Sequence, residues 1–142
     1  QSRSSAASDV YKRQALAWAG DKIAGGPVLI YSTADTSAVK SIQSKLGVEA
    51  AGTLVEQTIA GIARGLVELG VRQLVVAGGE TSGACVQALE IAQMRIGGQI
   101  DPGVPWCHAL SPAAPDGLHI TLKSGNFGTA DFFTKAFAAC AA

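Results

Sequence analysis

The sequence predicts an α/β domain: a three-layer sandwich around a central, largely parallel sheet, Rossmann-like but without the dinucleotide fingerprint. Two short, continuous apolar runs, residues 27–32 (PVLIYS) and 73–77 (QLVVA), have the length and β-branched content of strands buried on both faces. Segments with helical periodicity separate the strand candidates, and alternation of this kind favours a sheet covered on both sides. Composition agrees. Of 142 residues, 48% are hydrophobic and only 15% charged, the balance of one globular domain with a sizeable core rather than of a disordered chain.

The elements follow in order. Residues 1–14 lack the character of a domain: the chain opens on Gln1, residues 1–8 are a polar run, and residues 8–14 (SDVYKRQ) resemble the artefactual ends of translated environmental fragments. They are expected to be non-native, with the domain occupying residues 15–142. Residues 15–23 (ALAWAGDKI) read as the end of a helix closed by Gly25 and Gly26, followed by the strand at 27–32 and a less regular helical pattern at 35–46. Residues 53–69 carry the clearest helix. Thr53 and Glu56 have capping-box spacing; Val55, Ile59, Ile62, Ala63, Leu66 and Leu69 form one stripe, and Gly70 stands where a left-handed terminator is needed. The strand at 73–77 ends abruptly in Gly78 and Gly79, and a helix is expected over 81–93 with Cys85, Leu89 and Ala92 on one face. Residues 94–100 and 119–123 (HITLK) are strand candidates. Two prolines and a glycine predict a rigid loop over 101–106 (DPGVPW), and residues 131–139 close the chain as a helix.

Charge excludes some functions. Eleven basic side chains balance eleven acidic ones, so the field needed to hold DNA or an anionic membrane is absent. An anionic ligand would have to be bound by backbone amides or single side chains. Cys85, Cys107 and Cys140 fit neither a zinc spacing nor a CxxC pair. They point to a reduced, cytoplasmic setting. No apolar run is long enough to span a bilayer, and the first fourteen residues lack the hydrophobic stretch of a secretory signal.

The most informative segment is Gly78-Gly79-Glu80-Thr81-Ser82-Gly83, between a strand and a helix. In an open α/β sheet that junction lies at the carboxyl edge, where ligands bind. The helix start offers free N–H groups and partial positive charge to a phosphate. The glycines let a ligand approach the backbone, and Thr81 and Ser82 add hydroxyls. Lys123-Ser124-Gly125-Asn126-Phe127-Gly128 repeats the pattern at a second strand end, with Lys123 able to neutralise phosphate charge. An ordinary tight turn at either place is the competing reading. The first segment is not a P-loop, which requires Lys then Ser or Thr after its last glycine. Its glycine spacing and the Pro102 that follows Asp101 also disfavour an NAD site. The stiff loop is able to hold Trp106 against a flat ring, but packing on the core is the favoured reading of that residue, and Asp101 is a single candidate for magnesium bound through water. His108, His119 and Ser111 stand in no catalytic spacing, and no catalytic base is identified.

Taken together, residues 75–83 (VVAGGETSG), 100–106 (IDPGVPW) and 122–128 (LKSGNFG), followed by Asp131-Phe132-Phe133, closely resemble the four-carbon acid sugar kinase family, 3-oxo-tetronate kinases in particular. The resemblance runs from about residue 15 to 137. It implies a C-terminal ATP-binding domain whose partner N-terminal domain binds the acid sugar. The reaction it implies is γ-phosphoryl transfer to the terminal hydroxyl of a tetronate or 3-oxo-tetronate, with Mg2+. Carried over, the nucleotide site falls on Gly78, Gly79, Glu80, Thr81 and Gly125, with Ser82, Lys123, Ser124 and Asn126 beside it. The sugar domain and a serine-containing nucleotide loop are expected to lie upstream of residue 15, so this chain alone is expected to be inactive and is free to self-associate. A non-catalytic module that binds an acidic metabolite is the alternative.

Overall fold

The computed structural model describes residues 3–32, 44, 47–125 and 127–141 of the chain. Helix α1 (Arg3–Lys22) passes through a single 3-10 turn, Ile23–Gly25, and is followed by α2 (Val48–Glu68). Strand β1 (Gln73–Ala77) leads into α3 (Gly79–Ala88). A run of three strands comes next, β2 (Met94–Asp101), β3 (Val104–Ser111) and β4 (Ala114–Lys123), and α4 (Phe132–Ala141) closes the domain. The four strands form one sheet in the order β1-β4-β3-β2.

The sheet is mixed rather than largely parallel. Only β1 and β4 run parallel, from Gln73 opposite His119 to Ala77 opposite Lys123, while β2–β3 and β3–β4 are antiparallel. The cause is the segment expected to be a rigid loop. Pro102 and Gly103 (φ 80°) instead make a two-residue turn between Asp101 and Val104. Gly103 has the positive φ of the second central position of a type II turn, a conformation that favours glycine and commonly follows proline. Pro105 then sits in β3 opposite Gln99, in a stretch interrupted by register shifts on both sides. A residue without an N–H is tolerated there because the ladder is already broken.

Helices cover both faces of this sheet. Successive side chains of a strand point to opposite faces, and β1 divides its residues accordingly. Leu74 and Val76 join Cys85, Leu89, Leu118 and Ile120 in a core with α2 and α3. Val75 turns the other way, toward Val104, Trp106, Phe132 and Ala136 beneath α4. A smaller cluster (Ala19, Ile62, Leu66) packs α1 on α2. Residues 3–14, whose sequence looks non-native, belong to this helix, and Ser8 is hydrogen-bonded to Thr58 of α2 at 2.5 Å.

Helix ends differ from expectation where capping is tertiary or glycine-driven. Helix α2 starts at Val48 after Gly47 (φ 82°), with no side-chain cap, so Thr53 and Glu56 lie inside the helix and form no capping box. Its buried face is Ala51, Ala60, Ile62, Ala63, Leu66 and Val67, whereas Val55 and Leu69 are exposed. The predicted stop at Gly70 does form: Gly70 N–H donates to Val67 O and Val71 N–H to Leu66 O, the paired bonds of a Schellman motif. Helix α3 ends the same way but five residues earlier than expected, with Glu90 (φ 55°) in the left-handed position and Ile91 N–H bonded to Val86 O. Ala92 is therefore exposed beyond the helix, while Cys85 and Leu89 keep the buried face.

The strand expected at 27–32 is absent from the sheet. Val28 and Ile30 pack against the α1–α2 cluster, while Leu29 and Tyr31 face solvent. A groove of about 640 Å³ lies between this segment and β1, the outer strand among the described residues. The helix expected at 35–46 falls outside the described residues, apart from Ser44.

Candidate functional site

Because β1 and β4 are parallel neighbours, the chain leaves both at the same sheet edge, and the two predicted glycine corners meet there. They are joined directly: Gly78 N–H donates to Lys123 O at 2.8 Å. Gly78 has φ 110°, and a Cβ there would stand 3.3 Å from Thr81 Oγ1, so only glycine fits without strain. The first intrahelical bond of α3 is Ser82 N–H to Gly78 O at 2.9 Å. The amides of Gly79, Glu80 and Thr81 precede it and have no acceptor within the helix, and no side chain caps them. A Cβ on Gly79 would meet nothing within 4 Å. The corner thus presents three N–H groups at the positive end of a helix dipole, over an open approach, which suits an anion.

The second corner leaves β4 at Lys123. Its ammonium donates to Gly125 O at 3.0 Å and stands 5.9 Å over the Phe132 ring. Gly125 has φ 48° with open space where a Cβ would be, and Ser124 is exposed. Asn126 lies outside the described residues. Gly128 (φ 91°) packs down on Phe132, where a Cβ would come within 3.0 Å of the ring. A cation beside the open turn at Gly125 complements phosphate charge.

Other candidates have structural roles. The Ser82 hydroxyl is buried and donates to Gly78 O at 2.6 Å, so its hydrogen is spent inside the turn. Trp106 packs in the core, the favoured of its two readings: the residue is 5% exposed, Nε1 donates to Ala136 O at 2.7 Å, and Phe137 packs beside it. Asp101 is committed as well. One carboxylate oxygen pairs with the Lys135 ammonium and the other accepts the Thr129 N–H at 3.1 Å. The hydrogen bond from Lys135 holds this carboxyl below its ordinary range despite burial. Magnesium at Asp101 would have to displace that pair. Among the described residues, no group of three or more His, Cys, Asp or Glu side chains is arranged to hold a metal. His108 and His119 touch edge to face at 5.4 Å, near the amino end of β1, away from the corners. Burial pushes the Cys85 thiol up to about 11, which leaves it unreactive. No helix among the described residues is long and apolar enough to cross a membrane.

The sequence pattern gave Glu56 only a capping role, whereas the fold sets it against Glu80. Glu56 reaches across from α2 to share a hydrogen bond with Glu80 in the first turn of α3, and that bond, then burial and the Glu80 charge, push its carboxyl above the ordinary range. Nothing in a linear reading links residues so far apart. A raised folded-state value means the pair stabilises below the unfolded carboxylate pKa and loses that contribution as pH rises through the folded one. Glu56→Gln is therefore expected to raise the melting temperature at neutral pH, with the gain shrinking as pH falls through the carboxylate range. Thermal melts across that range check it; a pH-independent gain would contradict it.

Comparison with known proteins follows the same lines. The family model described as "Nucleotide-binding C-terminal domain" matches residues 2–133. A 3-oxo-tetronate kinase of Burkholderia multivorans is 58% identical over 126 residues, covering 89% of this chain and 28% of that protein. One from Pseudomonas fluorescens is 52% identical over 131 residues, covering 92% and 29%. The crystal structure of a Haemophilus influenzae protein superposes with a TM-score of 0.72 at 39% identity, over 90% of this chain and 30% of that one. The chain spans less than a third of the length of each.

Proposed function

The chain belongs to the family of nucleotide-binding C-terminal domains, and from that premise we propose that it is the ATP-binding part of a kinase acting on 3-oxo-tetronate or a related four-carbon acid sugar. The product would be the 4-phosphate. The observation that carries this reading is the Gly78 N–H to Lys123 O bond, which joins two glycine corners at one sheet edge. The amides of Gly79, Glu80 and Thr81 would hold phosphate oxygens, with Lys123 supplying a positive charge and Gly125 a second close approach. The apolar groove beside β1 opens next to Ala77 and Thr81, so the less polar end of a nucleotide has a neighbour of matching character.

These features fit a triphosphate; they do not supply a metal cage. Mg2+ would enter on the nucleotide and neutralise charge between its phosphate groups. Glu80 is the carboxylate that the corner itself offers. Phosphoryl transfer depends on positioning both reactants and stabilising the charge that passes between them. Catalysis then requires the acid-sugar-binding N-terminal domain that the family resemblance implies. The 142-residue chain is expected to bind nucleotide without turning it over, in a cytoplasmic protein that is free to self-associate.

Calorimetric titration with Mg·ATP, a four-carbon sugar acid and NADH tests the reading. One-site binding of Mg·ATP in the micromolar-to-millimolar range is expected. Binding of the sugar acid without ATP would favour a non-catalytic metabolite module, because an open helix terminus also accepts a carboxylate. Binding of NADH alone would revive a dehydrogenase.

A further inference from the structure

We propose that Asp101 is a positioning residue for the nucleotide site, acting through the backbone of the second glycine corner; this rests on the reading of that corner as part of the site. Asp101 ends β2 and is buried, 7% exposed. A carboxylate is rarely left in such a place unless it is paired and hydrogen-bonded. Both conditions hold, and both partners belong to the segment that follows the corner. One oxygen accepts the Thr129 N–H at 3.1 Å, and the other pairs with Lys135 of α4. Lys135 also donates to Thr129 Oγ1 at 2.8 Å, and that hydroxyl bonds Asp131 at 2.5 Å. Thr129 O in turn accepts the Phe132 N–H at 3.1 Å. One residue, Thr129, therefore has its N–H, hydroxyl and carbonyl all engaged.

The turn beside Asp101 holds the corner a second time. The Phe127 ring lies on Gly103, where a Cβ would come within 3.2 Å of two ring atoms. The corner is thus fixed at one end by the β1–β4 ladder, through Lys123, and at the other by the β2–β3 hairpin, through Phe127 and Thr129. Gly125 sits between these anchors with open space around it and φ 48°. A glycine turn tethered at only one end samples many conformations, and a ligand must then offset the entropy of ordering it. The ion pairs of Arg64 with Glu68 and with Glu90 are more exposed and hold no glycine turn. The Asp101 pair differs in location and in what it grips.

The test uses the 142-residue chain and its Asp101→Ala, Asp101→Asn and Lys135→Met variants, with two readouts. Amide hydrogen exchange without ligand is expected to quicken about tenfold or more at residues 125–129 in Asp101→Ala, the effect of removing a charged acceptor from a backbone N–H. Exchange in β1 and β4 should stay unchanged. Mg·ATP affinity, read by calorimetry, is expected to fall about tenfold in the same variant. Asp101→Asn keeps an acceptor oxygen for Thr129 and should fall between native and Ala, which an indiscriminate packing loss would not produce. If Asp101→Ala does not fold, the Asn and Lys135→Met variants carry the comparison. Native-like exchange at 125–129 together with native affinity would overturn the proposal, and so would equal quickening throughout the core strands. Failure of the native chain to bind Mg·ATP would remove the nucleotide reading, while the exchange readout would still decide whether Asp101 holds the corner.

Discussion

Gly79→Trp is expected to abolish measurable Mg·ATP binding while leaving the fold intact. The two halves of that result have separate causes. Gly79 is the first residue of α3, its φ lies outside the left-handed region, and a Cβ would meet nothing within 4 Å. An indole there projects into open space, and an exposed substitution of this kind changes stability by no more than about 0.5 kcal/mol, a shift of roughly 2 °C in melting temperature. In the proposed site, that open space is where phosphate oxygens would approach the amides of Gly79, Glu80 and Thr81. Filling it should weaken binding by a factor on the order of 100 or more, the cost of losing two or more charge-assisted hydrogen bonds. Calorimetry and a thermal melt on the same sample check both halves. Near-native affinity in a folded variant would remove the first corner from the site. Gly78 would be a poor substitute for this experiment, because its φ of 110° makes any side chain a folding problem as well.

The largest effect on stability is expected from Trp106→Ala. The ring fills the space between the sheet and α4 against Phe137, and its N–H satisfies the Ala136 carbonyl. Removing a buried Trp side chain typically costs about 3–5 kcal/mol. Here the Ala136 carbonyl also loses its partner. Set against the 5–15 kcal/mol by which domains are usually stable, roughly, the melting temperature should drop on the order of 10 °C. Nucleotide binding should weaken too, because α4 carries Lys135 and the Phe132 ring beneath Lys123. A loss below about 1 kcal/mol, measured by denaturant titration, would contradict the packing described for this ring.

Legibility in the sequence followed the range of the interactions. The strand at Gln73–Ala77, the glycine stop at Gly70 and the turn at Gly78 depend on neighbours a few residues away, and each appears where the pattern put it. The hairpin through Pro102 and Gly103 was hidden by its own composition. Prolines normally break strands, and only the register shifts around Gln99 make room for Pro105 in β3. That one omission also turned a mixed sheet into an apparently parallel one, whereas Trp106 packs in the core, as its sequence context favoured. The Ser82 hydroxyl, read as a donor to a ligand, is spent for a local reason, since a hydroxyl in the first turn of a helix can fold back on the carbonyl four residues earlier. The bonds from Asp101 to Thr129 and Lys135 span 28 and 34 residues, and no periodicity announces them. The meeting of the two corners needed only one correct inference, that the strands before them run parallel side by side, and β1 and β4 do.

The two corners are proposed to act as one grip on a triphosphate. The most direct test of this grip is the amide spectrum of the isotope-labelled chain, followed while Mg·ATP is added to millimolar concentration. The amides of Gly79, Glu80, Thr81 and Gly125 should shift together along a single saturation curve, while those around His108 and His119 stay still. Movement of one corner without the other, or shifts confined to the edge that carries the histidines, would contradict it.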